Sequence, residues 1–192
     1  LSLILFSCGE KEEAEEETSS TTELEGVWKS PCYVTGGNYY VILTVTVAGT
    51  SVVQDWDYHA DSSCSSDNYT VKYTNSSYSE GADMVFSSYG SSGGSGKRFT
   101  MTHISSTETP QNSAEVSWYN SNTYCGDTDW ALNTAHDTTG KTCWVSDGAR
   151  WSANTPIYGL YLLDGNSLFA EISSSTYPSS VDTGTNDTLT KQ

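Results

Sequence analysis

The 192-residue chain reads as an all-β protein built from antiparallel strands. Apolar and polar residues alternate with a period of two through much of its length, turns rich in Gly and Asn separate those runs, and helical periodicity is nearly absent. Such strands must either close into a barrel or stack as two sheets, because an exposed edge is a template for aggregation.

The elements follow in order. Val41, Leu43, Val45 and Val47 alternate with Ile42, Thr44 and Thr46, which predicts a strand with one well-buried face. After the turn Ala48-Gly49-Thr50-Ser51, Val52, Trp56 and Tyr58 alternate with Val53, Asp55, Asp57 and His59, completing a hairpin. Tyr69, Val71 and Tyr73 against Thr70, Lys72 and Thr74 predict a third strand, and residues 84–88, 98–104 and 114–119 three more. The last hairpin pairs 157–163 with 167–172 through Asp164-Gly165-Asn166, where Gly and Asn accept positive φ at little cost. The single helical candidate is 129–135, where Asp129 precedes Trp130, Ala131, Leu132 and Ala135. Residues 87–96 read as a Ser/Gly loop and 173–192 as a Ser/Thr-rich tail, leaving 24–172 as one folded domain of ordinary size.

Charge divides the chain. Residues 10–25 hold eight Glu and one Lys, so this stretch cannot bury a core and is expected to be an extended, solvated tether. The whole chain carries a formal net charge of −16, which repels phosphate backbones and excludes nucleic acid as an expected partner.

Five cysteines are present, Cys8, Cys32, Cys64, Cys125 and Cys143, and an odd count in an exported protein leaves one thiol to be explained. The last four allow three pairings. Cys32 with Cys64 and Cys125 with Cys143 are favoured, because each joins neighbours along an antiparallel chain path. Zinc would call for paired C-x2-C spacings, which are absent. Two disulfides imply an oxidising compartment.

Leu5-Phe6-Ser7-Cys8, closing an apolar run and opening onto Gly9-Glu10-Lys11-Glu12-Glu13, resembles the lipobox of bacterial lipoproteins. The resemblance implies that residues 1–7 are a signal-peptide remnant without its Met and basic start, that Cys8 is acylated, and that 8–23 tether the domain to a membrane. Acylation of Cys8 also removes the odd cysteine. The apolar run is too short to span a bilayer, which takes about 20 residues; membrane contact is expected through acyl chains, of which stable anchoring needs more than one. Lys11-Glu12-Glu13 is similar to the export signal of surface lipoproteins in the Bacteroidetes, and Gly9 is not the Asp that retains lipoproteins in the inner membrane of enteric bacteria. The expected location is therefore the bacterial outer membrane, facing the periplasm or the cell surface.

Glu25-Gly26-Val27-Trp28 resembles the Gly-x-Trp of the lipocalin and calycin N-terminal strand. With Cys32, Cys64 and the terminal hairpin, the chain is similar to bacterial lipocalin-like lipoproteins over most of 24–172. That implies an up-and-down β-barrel rather than a β-sandwich, with Trp28 packed across its closed end and the disulfide-bounded loop at 125–143 as an insertion. Two departures stand out. The helix that follows the eighth strand of lipocalins is missing, and the basic residue that covers the Trp has Arg150 as its candidate. Small barrels can be filled by side chains, so a cavity does not follow from the fold alone.

Catalytic patterns are weak. Gly90-Ser91-Ser92-Gly93-Gly94 matches G-x-S-x-G without the strand and helix a nucleophile elbow needs. Gly96-Lys97 lacks the earlier Gly and the following Ser or Thr of a phosphate loop. His59, near Asp57 and Asp61, His103 and His136 have no ligand spacing and read as strand histidines. Asp127, Asp129 and Asp137 lack the Gly and Glu of an EF-hand, leaving at most a looser calcium loop. Asp55 and Asp57 share a strand face in the manner of a glycosidase pair, although a solvated face is the simpler reading. No catalysis, metal or cofactor is expected.

The aromatic bias is stronger: six Trp and thirteen Tyr against four Phe favour rings with a polar handle. Trp28, Trp56 and Tyr58 read as core, with Trp56 and Tyr58 lining any hollow. Trp118, Tyr119, Tyr124, Trp130, Trp144 and Trp151 gather around the disulfide loop, where an exposed set could stack on sugar rings or line the barrel mouth, and where packing of the loop onto the barrel is the simpler reading. Two functions are expected of a monomer so built. One is binding of a small apolar ligand in the barrel; the other is surface interaction or glycan binding by Trp118, Trp130 and Trp144 exposed on a solid barrel.

Overall fold

A computed structural model describes residues 22–35, 39–86, 94–144, 148–181 and 188–192, with backbone alone at 86, 94–95, 144 and 148. Cys8, nearly all of the tether and Ser92 lie outside the described residues. The strands are β1 (Gly26–Lys29), β2 (Tyr33–Val34), β3 (Tyr40–Ala48), β4 (Ser51–His59), β5 (Asp67–Phe86), β6 (Gly94–Pro110), β7 (His136–Asp137), β8 (Thr142–Trp144), β9 (Gly148–Ala149), β10 (Pro156–Asp164), β11 (Ser167–Ser173) and β12 (Leu189–Lys191). One helix, α1, spans Ser113–Asn122.

Eight strands close an antiparallel ring in the order β1, β3, β4, β5, β6, β10, β11, β12 and back to β1. Successive strands of the ring are neighbours, so the protein is an up-and-down β-barrel and not a sandwich. β2 prolongs the line of β1 along β3 after Ser30, whose N–H donates to the Leu43 carbonyl at 2.9 Å. The Cys32–Cys64 disulfide ties this prolongation to the turn after β4, and Cys125–Cys143 closes the second expected bond.

Closure depends on the chain's last residues. Leu189–Lys191, expected to belong to a tail, pairs with β11 on one side and β1 on the other. Three residues carry too little alternation to be read as a strand, yet Leu189 is buried in the core. β5 likewise absorbs the segment 84–86, expected as a separate strand, because two register shifts carry it past Ser76–Ser79 and Glu80–Asp83.

The core cluster holds Trp28, Val45, Val47, Val52, Phe99, Met101, Ile157, Tyr161 and Leu168, with Leu24 and Leu189 among their neighbours. Trp28 is 1% exposed, and its Nε1 donates to the Leu24 carbonyl at 2.7 Å, so the indole is buried without leaving its polar handle unpaired. The cation over Trp28 is Lys191, with Nζ 5.2 Å from the ring centre. Arg150, the expected candidate, lies over the Tyr73 ring instead. Gly159 makes room for Phe99: a Cβ there would stand 2.0 Å from Phe99 Cζ.

Between β6 and β10 the barrel carries an insertion wider than the expected 125–143. Residues 114–119, expected to form a strand, are helical. Asn112 caps α1, its Oδ1 accepting from the Glu115 N–H at 2.9 Å, and the Thr123 N–H closes the other end on the Tyr119 carbonyl. Residues 129–135, expected to be helical, are irregular up to Ala135. The Asn120 side chain takes both the N–H and the C=O of Trp130, and the Asn133 N–H donates to the Pro110 carbonyl, so these backbone groups are spent outside any helix.

Candidate functional site

Strand β4 divides its inward face between two environments. Val52 belongs to the core, while Gln54, Trp56 and Tyr58, two residues apart and therefore on the same face, line a cavity of about 320 Å³. Tyr73 of β5 and Ile172 of β11 complete the barrel's share of the wall, and Ala149, Arg150 and Trp151 of the insertion bound the rest. The barrel is thus not filled throughout, and the expected lining residues Trp56 and Tyr58 sit side by side in its hollow.

Arg150 is held from behind. One terminal nitrogen donates to the Tyr73 hydroxyl at 2.8 Å and the other to Glu108 Oε2 at 3.2 Å. Burial alone would lower its pKa, but Tyr73 and Glu108 outweigh that and keep the guanidinium charged. Glu108 has no solvent exposure and also accepts from the Tyr119 and Tyr124 hydroxyls. Burial pushes its carboxyl above the ordinary value, although Tyr119, Arg150 and Tyr124 all pull it down. Tyr58 stacks on Tyr69 at 4.5 Å, and burial raises its pKa, so the phenol remains protonated at neutral pH.

Several buried polar atoms around the cavity have no hydrogen-bond partner among the described residues. Trp56 Nε1 and Arg150 Nε are donors in its wall. His103 lies against Trp151 and Tyr73. Asn75 Nδ2 donates to the Val52 carbonyl, so its Oδ1 faces His103 Nδ1 at 3.2 Å and accepts from it. That leaves His103 Nε2 as an unpaired acceptor, and burial lowers the imidazole pKa and keeps it neutral. An unsatisfied buried polar group costs about 1–3 kcal/mol, and three such atoms lie in or beside this cavity among the described residues.

The remaining expected site residues fall elsewhere. Tyr119, Tyr124, Cys125 and Trp130 form a second buried cluster, with half-buried Trp118 and Cys143 packed on it. Tyr119 and Tyr124 stack at 4.3 Å, and Trp130 meets Tyr119 edge-on at 4.7 Å. These rings seat the insertion on Glu108 and do not make an exposed strip; the Trp144 side chain lies outside the described residues. The structure brings Trp56 and Tyr58 together and keeps Trp118 and Trp130 apart from them.

His59 Nδ1 lies 3.2 Å from Asp67, not from Asp57 or Asp61. Asp57 accepts from the Thr70 hydroxyl, Asp55 pairs with Lys72, and Asp61 caps the Ser63–Ser66 turn, so these carboxylates serve strand surface and turn. Asp127, Asp129 and His136 come within reach of one cation. Lys141 Nζ already stands 2.6 Å from Asp127, on the same oxygen that His136 meets, and Asp137 caps Thr139. An internal ammonium therefore already pairs with Asp127.

Gln54, Tyr73 and Arg150 were not expected as wall residues, whereas Trp151, one of the aromatics grouped around the disulfide loop, does border the cavity. Gln54 was legible in the sequence, since it falls between Val52 and Trp56 on one strand face; nothing local to Arg150 places it there. No protein-family model matches the chain, and no curated protein matches it.

Proposed function

We propose that this is an exported, lipid-anchored barrel protein that binds a small ligand with a flat, largely apolar body in the cavity beside Trp56 and Tyr58. The observation that carries the reading is the cavity itself: a hollow in a closed barrel, walled by Trp56, Tyr58, Tyr73 and Trp151, with unpaired buried nitrogens on its wall residues Trp56 and Arg150. About 320 Å³ is at the small end of ligand pockets, which run from about 300 to 1,000 Å³, and a ring-sized ligand suits it. The barrel supplies a rigid scaffold for the ligand, and the proposed role is binding. The alternative of glycan recognition by the insertion's rings is weakened, because Tyr119, Tyr124 and Trp130 are buried in their own cluster.

Anchoring rests on Leu5-Phe6-Ser7-Cys8 and on the pairing of the other four cysteines, which leaves Cys8 as the one thiol for acylation. The outer membrane or cell surface is the proposed place, with the acidic tether as spacer and the domain acting as a monomer. Native mass spectrometry of the full chain, after exposure to a cell extract, tests the binding. A retained small molecule is expected, and a bare chain after every extract would sink the reading. Labelling with an alkynyl fatty acid tests the anchor: the label should appear on the wild-type chain and vanish in Cys8→Ala.

A further inference from the structure

Resting on that reading, we infer that the occupant is an organic anion: a one- or two-ring body whose carboxylate, or a comparable acid group, is received by Arg150. Among the described residues lining the cavity, Arg150 is the sole charged one. Its counter-charge lies behind it, since Glu108 is fully buried, is absent from the wall and shares its charge with the Tyr119 and Tyr124 hydroxyls. Among the described residues, the wall therefore presents a cation whose paired carboxylate, Glu108, is not itself a wall residue.

The polar inventory has the same sense. Trp56 Nε1 and Arg150 Nε are buried donors with no acceptor among the described residues. Tyr58 and Gln54, each carrying a polar group, also line the cavity. Indole and guanidinium can only donate, so an acceptor-rich group is what completes the set. Hydrogen bonds to an ionised acceptor are about twice as strong as neutral ones, and a planar acid group matches the guanidinium fork. Trp56, Tyr58 and Trp151 supply faces for the ring body.

The chain's net charge of −16 opposes an anion at long range. At physiological ionic strength that repulsion is screened beyond about 8 Å, whereas a contact with half-buried Arg150 is not. Selectivity should therefore come from one residue, not from the overall field.

Naphthalene-2-carboxylate and its neutral isostere naphthalene-2-carboxamide make the test, titrated into the full chain by calorimetry. The wild type should bind the carboxylate at least tenfold more tightly than the amide. Arg150→Gln should abolish the preference and Arg150→Lys retain most of it, with far-UV circular dichroism confirming each fold. Equal affinity for both probes in the wild type would overturn the anion inference while leaving the ligand site standing, and so would a preference that survives Arg150→Gln. Binding of neither probe would overturn the inference and the ligand site together. The wild-type comparison decides the matter even where Arg150→Gln does not fold.

Discussion

Lys191 Nζ stands 5.2 Å from the centre of the Trp28 ring, so the last strand of the barrel meets the first across a cation and an indole. Such a contact at an exposed site is worth about 0.5–1 kcal/mol, and Lys191→Gln should lower stability by that much in urea titrations. Leu189→Ala, on the same strand, removes a buried side chain and should cost about 2–5 kcal/mol. If Leu189→Ala were silent, β12 would not close the barrel in solution.

Phe99 occupies the space above Gly159, where a Cβ would come within 2.0 Å of its ring. Gly159→Ala should therefore destabilise by about 1–3 kcal/mol, the usual cost of overpacking. Adding Phe99→Leu, which shortens the clashing side chain, should recover part of the loss. Purely additive effects in the double-mutant cycle would contradict the contact.

The Cys125–Cys143 disulfide closes a separation of 18 residues around the buried Tyr119, Tyr124 and Trp130 cluster. Replacing both cysteines by serine should cost about 3 kcal/mol from released chain entropy. Because Trp130 is buried within the loop, its emission should shift to the red well before the barrel unfolds. Coincident loss of both signals would show that the insertion has no independent melting.

Glu108 gives a pH signature of defined sign. Its folded pKa is raised, by burial first, so its contribution to stability is complete below the unfolded carboxylate value and is lost as pH rises through the folded value. Asp127 and Asp137 have the opposite sense, lowered by Lys141 and by Thr139 respectively, and their contributions are lost as pH falls. The difference in Tm between the wild type and Glu108→Gln should move against the wild type as pH rises above the ordinary carboxylate range. A difference that is flat with pH would mean that Glu108 ionises normally.

What was legible in the sequence is the part governed by local alternation. β3 and β4 follow from their period of two, and Trp56 and Tyr58 were placed on one face by the same rule. Glu108 was not legible, because β6 slips register near Ser105: Phe99, Met101 and His103 are buried before it, and Ser106 and Glu108 after it. That change of parity moves an apparently exposed acid to the buried face. Helix α1 carried its signal in Asn112-x-x-Glu115, a capping pattern outweighed by the alternation downstream of it. Arg150 reaches the cavity only through the fold of the insertion, and no neighbouring residue announces it. β12 is too short for periodicity and exists because β11 and β1 each have an edge to satisfy.

The central claim is that the hollow beside Trp56 and Tyr58 is the binding site. Ala149 lines that hollow and is not a member of the core cluster, so Ala149→Trp would crowd the hollow while leaving the core residues themselves unchanged. The decisive measurement is native mass spectrometry of wild type and Ala149→Trp, exposed side by side to the same extract and checked for equal thermal stability. A single retained small molecule is expected on the wild type and a bare chain for the variant. Equal retention by both chains would contradict the claim, and so would retention by neither.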